Sequence, residues 1–84
     1  QFAIVVDNNQ VLKGVITDGD IRSGILKGND LKSPVSAIMN SSPKSLPKNS
    51  PHSQLVKIVK KYKIKQLPIV DENMRVVDVH INTD

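Results

Sequence analysis

Residues 4–9, Ile-Val-Val-Asp-Asn-Asn, return as residues 68–73, Pro-Ile-Val-Asp-Glu-Asn, a shift of 64 positions. Under the same shift Val15 falls on Val79 and Asp20 on Asp84. Each copy has an apolar, β-branched run, a polar turn and a second apolar run. In the first copy these are residues 2–6, the Asp7-Asn8-Asn9-Gln10 turn and residues 11–16. In the second they are residues 67–70, the Asp71-Glu72-Asn73-Met74 turn and residues 76–81. Two such runs around a short turn predict an antiparallel hairpin. Its recurrence predicts tandem units, each needing neighbours to bury its apolar face.

Helical patterning fills the interval. After residue 16 the apolar positions become Ile21, Ile25 and Leu26, on one face of a helix that Thr17 caps and that runs to about Lys27. Gly28 fits the left-handed position just beyond the end. Residues 29–34 are a polar connection. Residues 35–39 predict a short helical turn, with Val35, Ile38 and Met39 on one side. Residues 40–49 have loop composition, and Ser45-Leu46 is a candidate short edge strand. Ser50 and Pro51 mark a helix start, with Ser50 at the cap and Pro51 first in the helix. Leu55, Ile58, Val59 and Tyr62 follow at helical spacing, with Lys57, Lys60 and Lys61 on the solvated face. In the last strand Val77, Val79 and Ile81 share one face, opposite Asp78 and His80.

The order is therefore strand-strand-helix, linker, strand-helix-strand-strand. The expected class is α/β (α+β): short hairpins with helices packed on the sheets, residues 1–34 forming the first unit and 35–84 the second. The counterpart of the second unit's helix would precede Gln1, and that of the first unit's last helix would follow Asp84. The pair is thus expected to be incomplete, with apolar sheet surface left for a partner.

A chain of 84 residues makes one small domain and buries roughly 60–65% of its extended surface. Phe2 and Tyr62 are its aromatics, so Val, Ile and Leu must build the core. Without cysteine, disulfides, thiolate catalysis and Cys-based zinc sites are excluded. No apolar run approaches the roughly 20 residues of a membrane span, and a cytoplasmic location is the expectation. The net charge of +4 favours anionic ligands. Nucleic acid is not indicated: the arginines are Arg22 and Arg75, and the two aromatics do not interleave with basic residues.

Ligand chemistry concentrates in Gly14-Val15-Ile16-Thr17-Asp18-Gly19-Asp20-Ile21-Arg22. Here a strand turns into a helix, offering a hydroxyl, two carboxylates and the first helical N–H groups, which attract phosphate. A carboxylate at that turn can also accept from a ribose diol. The competing reading is structural: Thr17-x-x-Asp20 has the spacing of a capping box, with Asp in place of Glu. Asp18-x-Asp20 alone has too few ligands for a metal. His52 and His80 have no partners for catalysis or metal binding, and the serines have no adjacent base.

GVITDGDIR resembles the strand-turn-helix of a CBS domain, whose pattern is Gly-apolar-apolar-Thr/Ser-x-x-Asp. The longer string TDGDIRSGILKGNDLKSPVSAIMNSSP is similar to CBS pairs beside sugar nucleotidyltransferase domains and to the CBS tails of sugar-phosphate isomerases. The resemblance covers nearly the whole chain. It implies two clefts about a pseudo-twofold axis. The first would use Thr17, Asp20 and Arg22, with the strand start at Gln1, Phe2 and Ala3 and a further wall upstream. The second would use Asp84, the strand start Lys65, Gln66, Leu67 and Pro68, and Ser45 and Leu46. Asp78 stands at the second glycine position and Ile81 at the second hydroxyl position, which puts phosphate binding there in doubt. The implied function is regulatory and non-catalytic: an adenine nucleotide or S-adenosylmethionine acts as effector, with no required cofactor, on a homodimer attached to a sugar nucleotidyltransferase. The alternatives are a ligand-free dimerisation scaffold, the regulatory tail of a sugar-phosphate isomerase, and an enzyme pairing the Thr17/Asp18/Asp20 cluster with a divalent metal.

Overall fold

Asp7 and Asp71 close the two hairpins by the same bonds. Asp7 Oδ1 accepts from the N–H groups of Asn9 (2.8 Å) and Val11 (3.0 Å). Asp71 Oδ1 accepts from those of Asn73 (2.8 Å) and Arg75 (2.9 Å). Gln10 and Met74, also equivalent, both adopt left-handed backbone, with φ of 68° and 62°. The computed structural model describes residues 2–30 and 32–82. The first hairpin pairs β1 (Phe2–Val6) with β2 (Leu12–Thr17), and the second pairs β4 (Gln66–Val70) with β5 (Val76–Ile81); both are antiparallel. Their register shifts between Val5 and Val6 and between Ile69 and Val70, again at matching positions. The duplication seen in the sequence is thus a duplication of geometry.

The two turns bond to each other. Leu12 N–H donates to the Met74 carbonyl (2.9 Å) and Val76 N–H to the Gln10 carbonyl (3.0 Å). Each bond is the image of the other under the 64-residue shift. Val11, expected in the return strand, instead leaves β2 and bridges antiparallel to Arg75. This joint relates the units by a pseudo-twofold.

Between the hairpins come α1 (Asp18–Leu26), a 3-10 turn (Val35–Ala37), β3 (Leu46–Pro47) and α2 (His52–Tyr62). β3 is the expected short edge strand, parallel to β4 in a sheet ordered β3-β4-β5. Pro68 lies in the central strand, but β3 pairs only from Ile69 onward, so no ladder bond is lost on that side. The core forms where α2 covers this sheet: Leu46, Val59 and Leu67 are buried, and Leu55 and Ile58 pack against them.

Gly28, at φ 96°, ends α1 as its sequence predicts. The start of α2 differs. Pro51, with ψ 149°, is the cap residue, Ser50 makes no side-chain capping bond, and the helix begins at His52. The Pro51 carbonyl takes the first helical N–H groups, from Gln54 (3.0 Å) and Leu55 (3.4 Å). Ser50 instead closes a turn, its N–H donating to the Pro47 carbonyl (3.0 Å).

The linker crosses β2 at Val15. Val15 N–H donates to the Asn40 carbonyl (3.0 Å) and Asn40 N–H to the Val15 carbonyl (2.8 Å). Gly14 permits this approach: a Cβ there would lie 2.7 Å from Met39 Sδ and 2.8 Å from the Asn40 carbonyl oxygen. Apolar surface is open on β5 (Val77, Ile81), and the face of α1 that carries Ile21, Ile25 and Leu26 is exposed rather than packed on the sheet. His80, on the strand face opposite Val77, Val79 and Ile81 where the pattern predicts solvent, is half-buried, opposite Leu67 in the register.

Candidate functional site

Thr17 leaves β2 with extended backbone (φ −118°, ψ 172°) and caps α1 through a complete capping box. Asp20 N–H donates to Thr17 Oγ1 (3.3 Å). Asp20 Oδ2 accepts from Thr17 N–H (2.9 Å) and from the Thr17 hydroxyl (3.1 Å). The structural reading of Thr17-x-x-Asp20 is therefore realised. A ligand can take the Thr17 proton only in competition with Asp20. Gly19, in the first turn, has an N–H with no carbonyl partner inside the helix.

This turn forms one side of a cleft of about 460 Å³. Thr17, Asp18 and Gly19 line it from α1, with Phe2 and Val15 from the first hairpin. The opposite side belongs to the second unit: Asn40 and Lys44 from the linker, Tyr62 and Lys63 from the end of α2, then Lys65, Gln66 and Pro68. Lys63 is the left-handed cap of α2 (φ 54°) and turns the chain from the helix into β4 along this wall. Lys44 Nζ stands 4.4 Å from the Tyr62 ring centroid, and Lys61 Nζ 5.3 Å. Both aromatic side chains of the protein thus border one cleft, beside three lysines and a helix N-terminus. Base stacking and phosphate binding are the chemistry such a surface performs.

Of the residues expected to bind ligand, Phe2, Thr17, Gln66 and Pro68 meet in this cleft. Leu46 and Leu67, 3% and 0% exposed, give their side chains to the core. Ala3 and Arg22 are exposed and Ser45 is half-buried; none of them lines the cleft. Asp20 lies behind Thr17, held by the capping box. Asp84 and Gln1 lie outside the described residues.

The expected grouping changes as well. The resemblance implies separate clefts for the Thr17 turn and the start of β4, the first walled from upstream. They share one cleft because the bonded turns bring the second unit's linker and helix end against the first unit's turn. The second cleft would lie around Asp78 and Ile81, which stand at the positions of Gly14 and Thr17 under the 64-residue shift. On that side Asp78 Oδ1 accepts from the Val79 N–H (2.8 Å), and Ile81 is 62% exposed. Tyr62, Lys44 and Lys63 escaped the sequence reading. Tyr62 fitted the apolar stripe of α2, and only the fold shows that the stripe's last residue overhangs the cleft. The scarcity of aromatics was the available signal. Among the described residues, no three His, Cys, Asp or Glu side chains cluster to hold a metal, and no helix is long and apolar enough to cross a membrane.

A CBS domain model matches residues 35–79, and the chain belongs to the CBS domain family. CBS domains are regulatory, non-catalytic modules. Among individual proteins, the chain is similar to the arabinose 5-phosphate isomerase GutQ of Salmonella typhi, 39% identical over 69 residues. That alignment covers 82% of this chain and 22% of GutQ, so the chain spans about a fifth of that relative's length. The CBS domain pair of protein MJ0100, solved with 5'-methylthioadenosine and S-adenosyl-L-methionine, superposes with a TM-score of 0.76 at 26% identity, over 95% of this chain and 62% of the other. The cytosolic domain of the Mg²⁺ channel MgtE, solved with ATP, gives 0.82 at 26% identity, over 95% and 30%.

Proposed function

We propose that this chain is the sensing part of a regulatory CBS pair, with units meeting at residues 34 and 35, that takes an adenosine-type nucleotide into the cleft and signals occupancy to an attached enzyme. One observation carries the reading: Phe2 and Tyr62, the lysines and the start of α1 converge on a single cleft. Adenine would stack on the Tyr62 ring, worth about 1–3 kcal/mol. The phosphate would meet the Gly19 N–H and the lysines. The adenosine ligands of the MJ0100 and MgtE structures support the ligand class. The likeness to GutQ supports a sugar-phosphate isomerase as the attached, cytoplasmic enzyme; the association with a nucleotidyltransferase rests on the sequence resemblance alone.

Because the cleft draws one wall from each unit, its ligand contacts both. A ligand that prefers one arrangement of the units shifts their equilibrium, as regulation requires. Tyr62 is the single tyrosine in a chain without tryptophan, so its fluorescence reports the cleft directly. Titration with AMP, ATP and S-adenosylmethionine is expected to change that emission saturably for at least one of them. Ligand at about 100 times its Kd adds about 2.7 kcal/mol of stability, a melting shift of roughly 10–20 °C for a domain this small. Flat fluorescence and melting curves with all three would remove the reading.

A second reading, self-association as a scaffold, is favoured by the exposed apolar residues of α1 and β5. It is compatible with the first and is tested by sedimentation.

A further inference from the structure

We propose that the cleft selects among adenosine ligands by charge, taking phosphorylated forms and disfavouring the sulfonium of S-adenosylmethionine. The proposal rests on the adenosine reading above. Lys44, Lys63 and Lys65 line the cleft, and Asp18 is the one acidic residue among the described lining residues. The three lysines come from separate places: the linker, the left-handed cap of α2 and the residue before β4. Each backbone position is fixed by the fold, so the positive field does not depend on one mobile side chain. A phosphate monoester carries about −1.5 to −2 charge at neutral pH, and ATP carries more. S-adenosylmethionine has a sulfonium and an ammonium against one carboxylate and is net positive. The cleft attracts the first kind of ligand and repels the second, most strongly at low salt.

Lys44 adds a second element of selection. Its ammonium rests over the Tyr62 ring, 4.4 Å from the centroid, and both side chains line the cleft in which a base would stack. A base that stacks there displaces Lys44. A phosphorylated ligand offers the displaced ammonium a new partner, and adenosine offers none. Lys44 therefore opposes adenosine and assists ATP.

Calorimetric titration of ATP, AMP, adenosine and S-adenosylmethionine tests this at low salt and at roughly 0.3 M salt. The proteins are the chain itself, Lys44→Gln, Lys63→Gln, Lys65→Gln and, as a control off the cleft, Lys57→Gln, each checked by thermal melting. The expected order at low salt is ATP, then AMP, then adenosine, with S-adenosylmethionine weakest, and the spread narrows with salt. Each cleft variant is expected to weaken ATP about 2- to 5-fold, and Lys57→Gln to leave it unchanged. Lys44→Gln is expected to tighten adenosine while weakening ATP, an opposition that damage to the fold does not produce. Adenosine or S-adenosylmethionine binding as tightly as ATP, or ATP binding indifferent to all three variants, would overturn charge selection and leave the adenosine reading standing. If none of the four ligands binds, the adenosine reading falls and takes the proposal with it.

Discussion

Two aspartates in the turns and two residues at the start of α1 do most of the local work. Backbone N–H groups of Val11 and Asn9 hold the Asp7 carboxyl below its ordinary value of 3.8, and Arg75 N–H does the same, first among several causes, for Asp71. Carboxyls depressed in the folded state add stability that is present above the unfolded value and lost as the pH falls through the folded one. Acid unfolding below about pH 4 should therefore be shallower in the Asp7→Asn, Asp71→Asn double variant, as circular dichroism across a pH series would show. Thr17→Ala removes a cap and should cost about 0.5–2 kcal/mol in urea unfolding. Asp20→Asn keeps an oxygen for the Thr17 N–H but loses the charge. If Asp20 also holds the ribose, this variant weakens nucleotide binding by about tenfold or more with little loss of stability. Unchanged affinity would leave Asp20 as a capping residue alone.

At the level of elements, close approach and capping set the outcomes. Gly14→Ala drives a methyl against the Asn40 carbonyl and Met39, so it should destabilise by about 1–3 kcal/mol. It should also speed hydrogen exchange at the Val15 and Asn40 amides, each of which donates to the other residue's carbonyl. Ser50→Ala should stay within about 0.5 kcal/mol of the parent, because Ser50 makes no capping side-chain bond. The sequence alone predicts a larger loss at that position. Pro51 explains the discrepancy: a proline can open a helix at the cap or one residue inside it, and composition does not tell the two apart.

Over the whole molecule, thinness governs behaviour. The smallest extent is 17 Å, little more than one sheet-helix layer, so few side chains are remote from the surface. Leu26, 83% exposed, and Ile25, 63% exposed, lie on an α1 that buries only Gly24. If α1 mediates self-association, Leu26→Lys should lower the sedimentation coefficient at micromolar concentration without lowering the melting temperature. A compact monomer for both proteins would exclude that surface.

The hairpins, both helices and the capping box were legible in the sequence because each is encoded within a few residues: β-branched runs, Asp-x-Asn turns, helical periodicity and the spacing of Thr17 from Asp20. Of β3 only a candidate edge strand at Ser45-Leu46 was legible, since its parallel pairing with Ile69 and Val70 is long-range. The 64-residue shift even carried the bulges and left-handed turn residues, since equal local sequences close equal hydrogen bonds. Tertiary structure alone decided which walls share a cleft. That depended on the bonds from Leu12 to Met74 and from Val76 to Gln10, made by backbone groups that no side-chain pattern encodes. The same bonds brought Tyr62, Lys44 and Lys63 opposite Thr17, because residues far apart in sequence become neighbours only when the two hairpins close on each other.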